Sequence, residues 1–274
     1  MHLNTIFTLN HNSKKGFTLV ELAIVLVIIA LVIGGALVGR DLIASSEIRA
    51  QISQIEKFNT AVYTFKTKYN GIPGDLKRTE AISLGFYAIT YGPYLNNPGY
   101  GDNNGIINSR VAGTTSIAGE PFIFWRHLTE AGLVNGSYGE KLNTAAECTS
   151  GGTAIDFFPI SSIGEGSVEA NSPGNGINYF LIANFTAFGG CGAGGGVHST
   201  NRNTLTAIES YQIDSKIDNG IPGTGNVITI NGTTNLNAYV NWTTVSAVSG
   251  CVSAGAYALN PGTTKDCSLR IKFQ

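Results

Sequence analysis

Lys14 to Val38 reads KKGFTLVELAIVLVIIALVIGGALV, and the rest of the chain is organised around this stretch. From Phe17 to Gly39 there are 23 residues, and the single charged side chain among them is Glu21. As a helix, such a run crosses a hydrocarbon core of about 30 Å. Alone in lipid, a carboxylate costs roughly 2.5–3.5 kcal/mol on insertion scales, so Glu21 asks for a functional reason. An ordinary secretory signal has a shorter apolar core, about 7–15 residues, followed by a small-residue cut site. Here the run is longer and no such site ends it. A cut before the run, between Gly16 and Phe17, would remove a polar leader and keep the membrane helix. Lys14 and Lys15 would hold that leader on the cytoplasmic side by the positive-inside bias. The cut would also create a new ammonium at Phe17, one helical turn from Glu21.

The run Lys14-Lys15-Gly16-Phe17-Thr18-Leu19-Val20-Glu21 resembles the class III signal of type IV pilins and of the pseudopilins of type II secretion systems. The resemblance implies a dedicated membrane peptidase that cuts after Gly16 and methylates the new amino terminus at Phe17. It implies that Glu21 is the assembly residue. Its implied partners are the prepilin peptidase/methyltransferase, other pilin or pseudopilin subunits and an inner-membrane assembly platform. In physical terms, Glu21 paired with the Phe17 amine of a neighbouring subunit would set a one-subunit stagger between otherwise featureless apolar helices. Burying both charges together is far cheaper than burying either alone. The plainer alternative is a signal anchor whose Glu21 sits near the headgroups.

The helical pattern continues past the membrane run. Ile48, Ile52, Ile55, Phe58, Val62, Phe65 and Tyr69 recur at steps of three and four, one stripe of a helix, with Ser46, Glu47, Gln51, Gln54, Lys57 and Lys66 on the other faces. Asn70-Gly71 supplies a left-handed cap and Pro73 forbids continuation. Phe17 to Tyr69 is 53 residues, about 80 Å as a helix. Gly34, Gly35 and Gly39 interrupt it, read either as close packing through small residues or as a stretch that unwinds on leaving the membrane. The resemblance leads one to expect a helix-bending proline in this region, and none is present.

Beyond the helix, Pro121 opens a short amphipathic helix with Phe122, Trp125, Leu128 and Leu133 on one side. Together with the Pro73-Gly74-Asp75 turn and the Gly101-Asp102-Asn103-Asn104-Gly105 loop, this Trp-x-x-Leu-x-x-Ala-Gly-Leu run resembles a recurrent subgroup of pilin-like proteins of unassigned role. Strands are expected over 177–183, 227–230, 238–248 and 269–273, and a helix after Thr206, whose spacing to Glu209 is that of a capping box, ending by Gly220 and Pro222.

Composition narrows the classes. The formal charge of −1 becomes −3 once the two leader lysines are gone, so no general attraction to DNA or anionic lipid is expected, and no nucleic-acid partner. With 13% charged residues and 35 glycines, the chain suits a loop-rich domain outside the cytoplasm. Cys148, Cys191, Cys251 and Cys267 all follow the membrane run, and an even count on an exported domain implies two disulfides with three connectivities. Cys251–Cys267, closing a short loop, is favoured, leaving Cys148–Cys191 by exclusion. No C-x₂₋₄-C spacing supports a zinc site.

Other constellations carry less. Gly190 to Gly195 satisfies G-x-G-x-x-G, yet no helical pattern follows it, so it reads as a loop. Asp102 and Asn104 before Gly105 resemble part of a calcium loop, but an EF-hand fails at both ends. Asp214 and Asp218, four apart on a helix, are a second candidate pair for a calcium ion, with Asx-Gly turn chemistry as the alternative at both places. No G-x-S-x-G or H-E-x-x-H occurs, and after cleavage only His127 and His198 remain, His127 read as structural and His198 as solvated in the glycine-rich loop. An enzyme is not expected.

The chain is thus expected to be α+β: a leader over 1–16, a transmembrane half-helix over 17–39, an amphipathic half over 40–70, and a head over 71–274 in which the spine packs on a small antiparallel sheet with disulfide-stapled loops. The expected role is a structural subunit of a type IV pilus-like filament or type II secretion pseudopilus, held in the inner membrane by a single pass with a periplasmic head. The alternative is a membrane-anchored binding or adhesion module that uses the same signal without polymerising.

Overall fold

The computed structural model describes residues 16–86, 101–107, 120–139, 156–172, 175–184, 187–188, 197–198, 203–230, 250–259 and 264–273. The chain divides into two compact units, Met1–Ser46 and Glu47–Gln274. One helix, α1 (Leu19–Tyr69), runs through both.

In the first unit α1 carries the apolar run. Its side chains from Leu19 to Ile43 stand exposed, and it is long and apolar enough to cross a membrane. In the second unit α1 changes character at Ile48. The expected stripe is the buried one: Ile48, Ile55, Phe58, Val62 and Phe65 enter the core, with Ile52 and Tyr69 at its margin. Gln51 departs from expectation. It is fully buried, not on a solvent face, because its Oε1 accepts from the Ser161 hydroxyl (2.7 Å) and the Ile163 N–H (3.3 Å). Gln54 works beside it, donating to the Ile160 carbonyl at 2.7 Å and accepting from the Ser162 N–H at 3.1 Å. The helix thereby fastens the 160–163 loop through side-chain amides.

The end of α1 follows the sequence signals. Asn70 is left-handed (φ 55°) and Pro73 starts the turn. Gly74 is required there. Its φ is +85°, and a Cβ would lie 2.5 Å from the Glu120 carbonyl oxygen, so the turn packs backbone to backbone against the next long helix. A single-turn-and-a-half helix, α2 (Arg78–Ser83), follows.

That next helix, α3 (Glu120–Glu130), corrects the amphipathic reading: its residues from Glu120 through Leu128 are all buried. It is enclosed on every side, so no polar face needs water. Trp125 sits edge-on to Phe58 of α1 at 4.7 Å between ring centroids and stacks on Phe180 at 5.9 Å. Arg126 is accommodated by an i,i+4 pair with Glu130 (2.7 Å) and by donation to the Gly139 carbonyl (3.0 Å). Burial of each such aromatic or aliphatic side chain contributes roughly 1.5–3 kcal/mol.

The main sheet has four antiparallel strands in the order β1 (Ser167–Asn171), β2 (Asn178–Ala183), β8 (Ser268–Phe273) and β5 (Val227–Ile230). Val168, Ala170, Phe180, Ile182, Leu269 and Ile271 alternate onto the core face, where Phe180 also meets Phe58 of α1. The strands expected at 177–183, 227–230 and 269–273 are present within a residue. The 238–248 strand lies outside the described residues, and β1 was not foreseen. Its sequence SVEAN alternates a charge with small residues, yet all five side chains are buried, with Glu169 and Arg270 on the sheet's second face. Two short pairs complete the strands: β3 (Ala187–Phe188) with β4 (Val197–His198), flanking the G-x-G-x-x-G run, and β6 (Val252–Ser253) with β7 (Ala256–Tyr257). His198 thus falls on a strand, where a solvated loop was expected. The run 190–195 itself lies outside the described residues.

Between β4 and β5 lies α4 (Ala207–Ile217), opened by the expected capping box: the Thr206 N–H donates to Glu209 Oε2 at 2.7 Å and the Glu209 N–H to Thr206 Oγ1 at 3.2 Å. Cys251–Cys267 is a disulfide, Cα to Cα 5.3 Å, tying the β6–β7 hairpin to the start of β8. Cys148 and Cys191 lie outside the described residues. Taken together, the long N-terminal apolar helix, the small antiparallel sheet and the disulfide form an α+β arrangement.

Candidate functional site

At the amino-terminal end, Gly16, Phe17 and Thr18 precede the first helical residue, Leu19. Phe17 is 87% exposed. Thr18 and Glu21 form a reciprocal cap. The Thr18 N–H and hydroxyl both donate to Glu21 Oε2 at 2.8 Å, and the Glu21 N–H donates to Thr18 Oγ1 at 3.2 Å. Thr-x-x-Glu is the capping-box signature, and it was legible in Thr18-Leu19-Val20-Glu21. The carboxylate is therefore held one turn from Phe17, as the sequence spacing requires, and uses its own helix start as hydrogen-bond partner. A Cβ on Gly16 would meet nothing within 4 Å, so nothing among the described residues demands glycine there. The same is true of Gly34, Gly35 and Gly39, which face open space.

A second locus gathers around the turn after α1. The sequence singles out Asp102 and Asn104; the structure brings Asp102 together with Asp75 and Glu120, their carboxylate oxygens within 4.8 Å of one another. Asp75 is 1% exposed and clamps the 101–105 loop. Its Oδ1 accepts the N–H groups of Asn103 (2.8 Å) and Asn104 (3.2 Å), and its Oδ2 accepts that of Gly105 (2.7 Å). A Cβ on Gly101 would overlap the Asp75 backbone, so the loop is pressed directly onto the turn. Burial pushes the Asp75 carboxyl up, with the neighbouring Asp102 charge adding to that, while the three N–H donors pull the other way. Asn104 completes its own turn, its side chain donating to Asp102 and accepting from the Ile106 N–H at 2.7 Å. Oxygen donors so grouped are of the type that hold a divalent cation. Asp75 and Glu120 were missed because no local spacing links them to Asp102.

His127 belongs to the same neighbourhood and has a structural position. It stacks on Phe65 and meets Phe86 at a tilt, and its Nδ1 accepts the Gly74 N–H at 3.0 Å, which places the ring proton on Nε2. Burial first, and the adjacent Arg126 charge second, lower its pKa to about 3.

Asp214 and Asp218 are used inside the fold. Asp214 is fully buried and accepts from the Tyr257 hydroxyl at 2.8 Å and the Gly220 N–H at 3.2 Å; Tyr257 in turn accepts from the Thr229 hydroxyl at 2.7 Å. Burial raises the Asp214 pKa, and the Tyr257 hydrogen bond opposes the rise. Asp218 caps the end of α4 and accepts the Asn226 N–H at 2.5 Å. The two carboxylates are directed to different partners.

No curated protein and no solved structure matches the chain. A family model does, over residues 11–37, the segment that contains Gly16, Phe17 and Glu21. The chain therefore carries, at its amino-terminal end, the prokaryotic N-terminal methylation motif, which is the class III prepilin signal.

Proposed function

We propose that the chain is the precursor of a filament subunit, a type IV pilus-like or type II secretion pseudopilus component with a structural role. The leader 1–16 is removed by a prepilin peptidase between Gly16 and Phe17, and the new Phe17 amine is methylated. Residues 17–39 hold the subunit in the inner membrane, 40–70 continue the helix, and 71–274 form the periplasmic head. On an inner-membrane assembly platform, apolar helices of successive subunits pack together, and Glu21 pairs with the Phe17 amine of a neighbour. The observation that carries this reading is an exposed apolar run, residues 17–39, whose single acid lies one turn from the cleavage point. The open surroundings of Gly16 support a requirement set by the peptidase. The capping geometry supports a carboxylate that is satisfied before assembly and exchanges its Thr18 partners for an ammonium.

The test is Glu21→Ala, expressed beside the wild type. Its leader should still be cut, since the variant leaves Gly16 and Phe17 intact, and it should be missing from sheared filaments or pseudopili. Incorporation at the wild-type level would remove the register role.

A further inference from the structure

A cavity of about 580 Å³ opens where the end of α1, the 101–107 loop, the β1–β2 turn and the end of β8 meet. We propose that it is a binding site for an acidic saccharide, with the carboxylate of a uronic acid held between Lys66 and Lys272 and hydroxyl groups taken by the side-chain amides of Asn70 and Asn103.

Four lining groups are open for binding. Lys66 and Lys272 are exposed and have no ion pair among the described residues. Asn70 and Asn103 carry no side-chain hydrogen bond there either, so each amide offers both a donor edge and an acceptor edge. Asp75 is the one carboxylate in the lining, and its oxygens are already occupied by the N–H groups of the 103–105 loop. Neither Asp102 nor Glu120 lines the cavity. Within the lining the two ammonium groups outnumber the one carboxylate, so an anion is favoured at the two lysines, while Asp102 and Glu120, whose carboxylates lie within 4.8 Å of that of Asp75, keep it away from the Asp75 side.

Rigidity is built in. Asn70 and Asn103 both hold left-handed backbones, at φ 55° and 62°, and Asp75 fastens the loop that carries Asn103. Phe273, stacked on Phe180 at 4.3 Å, forms a fixed apolar wall. Ligand groups entering such a site lose little to reorganisation of the protein. The volume is in the range of small-ligand sites and admits one or two sugar rings. Paired amides favour a hydroxyl-rich ligand over a bare anion, and the lysines favour an acidic one over a neutral one.

The site does not depend on polymerisation, and binding should be identical in the Glu21→Ala chain. The experiment is calorimetric titration of the full mature chain in detergent with digalacturonate, maltose, sulfate and triglutamate in turn. Saturable digalacturonate binding is expected, at least tenfold weaker in Lys66→Ala/Lys272→Ala and several-fold weaker in Asn103→Gly, which removes the amide and keeps the left-handed backbone, with melting temperatures near that of the wild type certifying both variants as folded. Equal binding of maltose would overturn the role of the lysines. Sulfate binding as tight as digalacturonate would reduce the site to an anion site, and triglutamate binding as tight would assign it to an acidic peptide. Titration of wild type and variants alike would place the sugar elsewhere.

Discussion

Protonation of His127 is the perturbation whose size follows most directly from the structure. Its pKa falls to about 3 in the fold, against about 6.5 in the unfolded chain, because the ring is buried and beside Arg126. A base with a depressed folded pKa stays neutral in the native state while the unfolded chain takes up a proton. Its contribution is complete above pH 6.5 and declines as pH falls toward 3. The decline is about 1.36 kcal/mol per pH unit, which amounts to about 2 kcal/mol by pH 5. Asp75 and Asp214 act in the opposite sense, since a carboxyl raised by burial favours the fold on acidification. The His127 share is isolated by comparison with His127→Gln, which retains an acceptor for the Gly74 N–H but does not titrate. Urea unfolding of the mature chain in detergent, followed by tryptophan fluorescence at pH 7.5 and pH 5.0, should show the gap between wild type and variant narrowing by about 2 kcal/mol at the lower pH. Parallel profiles for the two proteins would refute the neutral, buried assignment of the ring.

Three further outcomes are expected. Gly74→Ala should destabilise the second unit by about 1–3 kcal/mol, read as a lower urea midpoint, because its positive φ and the Glu120 carbonyl both exclude a Cβ; an unchanged midpoint would mean the turn can move away from α3. Reduction of Cys251–Cys267, which closes a separation of 16 residues, should lower stability by roughly 3 kcal/mol in thermal melts with and without reductant, and coincident melts would contradict it. Calcium at tenfold excess over its Kd should stabilise the wild type by about 1.4 kcal/mol through Asp75, Asp102 and Glu120, and Asp102→Asn should blunt the gain; equal shifts in both would remove the cation from this locus.

What could be read from the sequence was local chemistry. The stripe from Ile48 to Phe65, the Asn70 and Pro73 stop, and the Thr206–Glu209 cap all rest on neighbours within one or two turns, so spacing alone reveals them. The Cys251–Cys267 pairing was legible for a similar reason, as the short loop it closes. The misses share an opposite cause. Gln51 looks polar and sits in the core because a loop more than a hundred residues away supplies its partners. For α3 and β1, the chain encloses both faces, which erases the alternation that burial on one face would impose. At the acidic locus, Asp102 was legible from its Asx-Gly loop, whereas Asp75 and Glu120 arrive only through tertiary packing of the Gly74 turn on α3. At the amino-terminal end the signal residues were all visible, and the Thr18–Glu21 cap, also local, was there to be found.

The mass of the amino-terminal peptide from purified filaments or pseudopili bears most directly on the whole. A first residue of N-methylphenylalanine at position 17, recovered from polymerised material, is the expected result. A peptide that begins at Met1, with the protein absent from every polymer fraction, would leave a tethered domain in place of a subunit.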